Sequence, residues 1–170
     1  AALAYFEDRS QLLDRVNGLL KNPQNLPKAI EQLQGENNIL KKEINELKRL
    51  KSKILAEEIK TEIQEVSGVA FLAKSVDLDA QSMKDISFEL GKTYENLFML
   101  LGSSQGGKAI LSCYISKSLV SEKSLDAGKV VRELGKFIQG GGGGQPFFAT
   151  AGGKNPEGIP QALSASKELI

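Results

Sequence analysis

TEIQEVSGVAFLAKSV, residues 61–76, is where the chain changes period. Residues 61–66 and 69–76 read as two strands about a Ser67-Gly68 turn, the second rich in β-formers and small residues. Everything before this stretch has a helical period instead. A boundary near residue 60 follows, with a helical arm over 1–60 and an α/β domain over 61–170.

Working back from the boundary, Ile30, Asn37, Ile44 and Lys51 occupy the first apolar slot of a heptad, and Leu33, Leu40, Leu47 and Ile54 the second. This is a coiled-coil seam, with Asn37 as a polar insert of the kind that sets register. Residues 21–27, KNPQNLP, carry two prolines and two asparagines and read as a turn. Before them Leu3, Phe6, Leu13, Val16 and Leu20 mark an amphipathic helix. The simplest partner for the seam is that helix folded back, which makes the arm an antiparallel coiled-coil hairpin. Residues Ala1 to Phe6 already read as helix interior with no cap before them, which suggests a piece of a longer chain.

Working forward, Asp79 is placed to cap a helix with an apolar stripe of Met83, Ile86 and Leu90, ended by Gly91 in the left-handed conformation. Leu97–Leu101 is a continuous apolar run suited to a strand buried on both faces. Residues 108–120 read as another strand, with Ala109, Leu111, Cys113 and Ile115 on one face. Asp126 caps a further helix with Val130, Leu134, Phe137 and Ile138 inward, and a last helix spans roughly 159–170. The β-β-α-β-β-α order predicts a small mixed sheet with packed helices, in the α+β or α/β class.

Composition narrows the chemistry. Hydrophobic residues make up 41% of the 170 and charged residues 25%, which fits a folded core. A net charge of +1 supplies no overall field toward nucleic acid, so any such role rests on local patches. There is no histidine, which removes the commonest general base and zinc ligand. The single Cys113 lies in an apolar run and reads as a small buried hydrophobe. Asp77, Asp79, Asp85 and Glu89 fall at caps and solvent faces, and Lys48, Arg49, Lys51 and Lys53 read as coiled-coil surface charge among glutamates. No run approaches a membrane span and no leader is present, so the chain is expected to be soluble, cytoplasmic and without a membrane partner.

One motif stands apart: QGGGGGQPFFATAGGK, residues 139–154. It is not a P-loop, because no Gly-Lys-Ser/Thr follows and it comes after a helix. A glycine run is often a flexible linker. Here it joins a capped helix to the strand-like Phe147-Phe148, so it reads as an ordered loop whose consecutive N–H groups receive a phosphate or sugar backbone. The candidate nucleic-acid residues are Gly140, Gly141, Gly142, Gly143, Gly144, Gln145, Gly152, Gly153 and Lys154, with Lys108 and Lys117 as nearby cations; Lys136 also lies close.

That motif, in order and spacing, resembles the C-terminal domain of alanyl-tRNA synthetases, a module also found beside DHH-type phosphoesterases. Such synthetases carry a coiled-coil hairpin before it, so the resemblance covers nearly the whole chain. A typical member has arginine where this chain has Gln145, which removes one cation from the site. The resemblance implies a parent enzyme that alanylates its tRNA with ATP and Mg and edits mischarged tRNA at a zinc site, neither centre lying in this chain. It implies a partner, alanine-specific tRNA, gripped at its outer corner, and a homodimer through the coiled coil as in some members. The alternatives are the same module in a free-standing alanyl-tRNA editing protein or a DHH-type phosphoesterase, and a purely oligomerising arm.

Overall fold

The computed structural model describes residues 2–170; Ala1, on which the reading of an uncapped start rests, lies outside the described residues. The chain parts into two compact units, Ala1–Leu47 and Lys48–Ile170.

The first unit holds helix α1 (Ala2–Leu19) and the greater part of helix α2 (Leu26–Lys60). Lys21 and Asn22 take positive φ in the break between them, and Asn25 caps α2, its Oδ1 accepting from Lys28 N–H at 3.0 Å. Pro27 falls inside the first turn of α2, where its missing N–H costs nothing. The two helices and their turn are as the sequence predicts, but the buried seam is not. Leu33, Leu40 and Leu47 are 53, 55 and 65% exposed, so α1 does not cover them.

The second unit is a six-stranded sheet with helices on both faces. Its strands are β1 (Gln64–Val66), β2 (Val69–Ser75), β3 (Leu97–Gln105), β4 (Lys108–Ile115), β5 (Gly140–Gln145) and β6 (Phe148–Gly153), in the order β1-β2-β3-β4-β6-β5. Only β2 and β3 run parallel, joined by the crossover helix α3 (Ala80–Thr93); the other neighbours are antiparallel. Ser67 and Gly68 at positive φ make the tight β1–β2 turn. Helices α4 (Lys117–Glu122), α5 (Ala127–Leu134) and α6 (Ile159–Ala165) complete the unit.

Burial explains the layering. Leu97 to Leu101 are fully buried, and their alternation sends Phe98 and Leu100 to one core and Leu97, Met99 and Leu101 to the other. The first core, with Ala109, Leu111, Cys113 and Ile115, is closed by α4, α5 and α6; Ile159 packs where a side chain on Gly102 would stand. The second is closed by Met83, Ile86 and Leu90 of α3 and by Ala56 and Ile59 from the end of α2. The last turns of α2, read as arm, therefore belong to the sheet unit. Lys48 and Lys51 reinforce this, pairing with Asp79 at 2.7 Å and Asp77 at 3.1 Å instead of serving only as coiled-coil surface charge. Each of the large fully buried side chains contributes about 1.5–3 kcal/mol through area removed from water.

Several local readings change. The strand from Lys108 ends at Ile115, because Ser116 turns away: its Oγ accepts from Leu97 N–H at 2.9 Å and donates to Tyr94 carbonyl, and α4 follows. Phe137 is exposed, since α5 stops at Leu134 and the chain turns before Ile138 re-enters the core. Gly91 does not end α3 in the left-handed region; it lies inside the helix, and the Tyr114 ring occupies the place of its missing Cβ.

Two measurements test this packing. Replacing a helical glycine with alanine ordinarily stabilises by about 1 kcal/mol. At Gly91 the sign reverses: Gly91→Ala is expected to cost about 1–3 kcal/mol in urea unfolding through overpacking, and the double variant with Tyr114→Leu to cost less than the two singles summed. Asp79 caps α3, accepting from Ser82 N–H at 2.9 Å, and the Lys48 ammonium beside it together with that bond holds its carboxyl down to about 2 from the ordinary 3.8. Its contribution is complete above pH 4 and fades as pH falls toward 2. The gap in thermal midpoint between the protein and Asp79→Asn, which keeps a capping oxygen, is expected to close over that interval.

Candidate nucleic-acid interface

The glycine run is not a loop but a strand. All five glycines and Gln145 pair with β6, Gly140 opposite Gly153 through Gln145 opposite Phe148, with Pro146 and Phe147 at the bend. Glycine has poor strand propensity because ordering it costs the most backbone entropy. Tertiary pairing overrides that here, since β6 supplies a ladder along the whole run and the Gly135 carbonyl takes the Gly140 N–H.

The glycines divide by alternation. A Cβ on Gly140, Gly142 or Gly144 would lie 2.5, 2.5 or 2.6 Å from the Cα of Gly153, Ala151 or Ala149, so only glycine lets β5 approach β6 this closely. A Cβ on Gly153 would meet Ile138 in the same way. At Gly141, Gly143 and Gly152 nothing lies within 4 Å of the added atom. Register puts these three on one face with Thr150, Ser112 and Ile110, on the side of the sheet that α3 covers farther in. The result is an open ledge of bare backbone.

Helix α5 closes the other side. A Cβ on Gly128 would sit 3.4 Å from the Gly144 carbonyl, and one on Gly135 3.5 Å from that of Gly140. The Gly140 N–H donates to the Gly135 carbonyl at 2.9 Å, away from β6. Groups on successive residues of an antiparallel strand point to opposite sides. Those of Gly142 and Gly144 therefore point with Gly140 toward α5, and those of Gly141, Gly143 and Gln145 toward β6. The expected nest of consecutive exposed N–H groups is thus absent, and what the run offers is a flat face instead.

Beside the ledge stand four half-buried rings. Phe88 of α3 meets Tyr114 at 5.4 Å, Phe148 at 5.4 Å and Phe147 at 6.4 Å between centroids, and Lys84 Nζ lies 5.8 Å from the Phe148 centroid. Sequence reading missed Phe88 and Lys84, which lie off the apolar stripe of α3; their i,i+4 spacing was the only signal. It missed Arg132 too, whose Nε donates to the Gly128 carbonyl at 2.9 Å, holding a cation beside the end of β5. Ser112 Oγ, buried in the row of Thr150 and Gly143, has no hydrogen-bond partner.

The predicted cations separate. Lys108 and Lys154 flank the paired Ala109 and Gly153, so both exposed side chains lie at the Gly140 end. Lys117 lies beyond the far end of β4, about 24 Å along a strand at 3.4 Å per residue, with Gln145 and the bend. Cys113 is fully buried and burial pushes its thiol well above the usual range, consistent with an inert core residue. Among the described residues no three His, Cys, Asp or Glu gather as a metal would require, and no helix is long and apolar enough to cross a membrane.

Comparison with known proteins gives concordant results. Residues 22–170 match the model of the DHHA1 domain. The alanine–tRNA ligase of Christiangramia forsetii is 53% identical over 170 residues, all of this chain and 20% of the ligase. That of Flavobacterium psychrophilum is 41% identical, again over all of this chain and 19% of the ligase. The chain thus spans about a fifth of these relatives. Among solved structures, the C-Ala domain from Aquifex aeolicus alanyl-tRNA synthetase superposes with a TM-score of 0.58 at 25% identity, covering 63% of this chain and 96% of that domain.

The two classes of glycine are separable by stability. Gly142→Ala is expected to lower unfolding stability by several kcal/mol, as forced overpacking does, whereas Gly143→Ala stays within about 1 kcal/mol of the parent because its Cβ meets only solvent.

Proposed function

The chain belongs to the DHHA1 domain family, and we propose that it is the C-terminal region of an alanine–tRNA ligase, binding alanine-specific tRNA on the open face of β5 and β6. The observation that carries this reading is that Gly141, Gly143 and Gly152 are glycine where no neighbour demands it. A bare backbone ledge admits close approach of a ribose-phosphate chain, and Lys108 and Lys154 at its Gly140 end with Lys84 beside Phe148 supply cations there. Contacts of that kind read backbone shape and 2′-hydroxyls more than sequence. Gln145, in the same row as Phe148, adds an uncharged donor and acceptor at the bend end.

Alanylation with ATP and Mg, and editing with Zn, are assigned to other parts of the longer enzyme. The residues here do not fit a zinc site: histidine is absent and the only cysteine is sealed in the core. This region would hold the tRNA while those centres act on it, in the cytoplasm where protein synthesis proceeds. The matched relatives are ligases, which favours this parent over an editing protein or a phosphoesterase.

A second reading concerns the arm. Ile30, Leu33, Leu40, Ile44 and Leu47 leave an apolar heptad seam exposed on α2, and a second copy pairing along it as a coiled coil would bury that seam. Sedimentation giving a strict monomer at high concentration removes this reading.

The primary test is a salt titration of tRNA binding by this chain. With about three phosphates engaged, log affinity against log salt should slope near −3, and Lys154→Ala should flatten it by about 1. Gly143→Val, which fills the ledge and spares the β5–β6 contact, should abolish binding with little loss of fold. Binding indifferent to both changes refutes the assignment of this face.

A further inference from the structure

Resting on the RNA-binding reading, we propose that the ledge is also a stacking floor for one RNA base that lacks a stacking neighbour, held against the ring of Phe148. Three features of the molecule lead there. Between rows of a sheet the bare patch measures about 5 Å across strands and 7 Å along them, the dimensions of a flat ring system lying on backbone. Its only side chain of any size is Thr150, since Gly141, Gly143 and Gly152 have none. Phe148 lies diagonal to Gly143 across the β5–β6 pair, within reach of an aromatic ring.

The wall beyond the floor has the same character. Phe88, Tyr114, Phe147 and Phe148 gather four of the ten aromatic residues, yet each stays half-buried. A core would have buried them; here they border a surface that has nothing to interlock with another protein's side chains. Rings edged by a cation are how sequence-tolerant sites take an unstacked base, and Lys84, over Phe148, is placed to meet the phosphate beside it. A continuous A-form duplex keeps its bases stacked inside, so it would bring only its backbone to the ledge and leave the wall of rings unused. The partner is therefore an RNA that presents a base at a loop, a bulge or the outer end of a helix.

The test compares two RNAs of equal length and charge, a blunt duplex and a hairpin with unpaired bases, one of them 2-aminopurine. The chain is expected to favour the hairpin about ten-fold, the scale of one base–aromatic contact, with the fluorescence of the probe base changed on binding. Phe148→Leu, which keeps an apolar residue in β6, should erase that preference and the fluorescence change while leaving duplex affinity, its salt slope and the thermal midpoint in place. Equal binding of the two RNAs, or a preference that survives Phe148→Leu, overturns the stacking floor and leaves backbone binding standing. Failure to bind either RNA overturns both.

Discussion

The close approach of β5 to β6 is the constraint on which the functional end of this molecule depends. At three alternate positions a single methyl group would collide with the neighbouring strand's backbone. Glycine at those positions brings β5 into the sheet, and α5 lies along it with Gly128 and the C-cap Gly135 next to the Gly144 and Gly140 carbonyls. With the inner face spoken for, alternation sends the remaining glycines outward. The bare ledge is thus a by-product of strand geometry as well as of composition, and it exists only because its opposite face is packed.

That end is held by a sheet whose centre is saturated with apolar burial. β3 contributes to both cores at once, and the two helical layers pull on it from opposite sides. α3 links the regions: Met83, Ile86 and Leu90 seal the second core, while Lys84 and Phe88, one helix face away, border the ledge. The Asp79 cap that starts this helix, with its Lys48 pair, therefore stabilises both the crossover and the wall of the candidate site. Gly91 serves the same end, making room for Tyr114 to stand among the aromatic rings.

Much of the scaffold was legible in residue order. The β1–β2 hairpin followed from alternation around Ser67-Gly68, the buried β3 from an uninterrupted apolar run, and the starts of α3 and α5 from Asp79 and Asp126. Each of these signals is local: a period, a turn or a cap within four residues. The end of β4 at Ile115 was not legible, because Ser116 is turned by Tyr94 and Leu97, some twenty residues away. The exposed seam of α2 likewise shows that a heptad declares an apolar stripe without naming what covers it.

The sequence by itself determined that a helical arm precedes an α/β unit, that histidine chemistry is excluded, and that the 139–154 motif resembles the C-terminal domain of alanyl-tRNA synthetases. Only the tertiary structure decided that the five glycines form a strand, which of them are required by packing, and that Lys108 joins Lys154 while Lys117 does not. The physical reason is that a glycine run has no side chains to carry a period. Its conformation is chosen by the strand and helix that pair with it, and those partners lie outside the run.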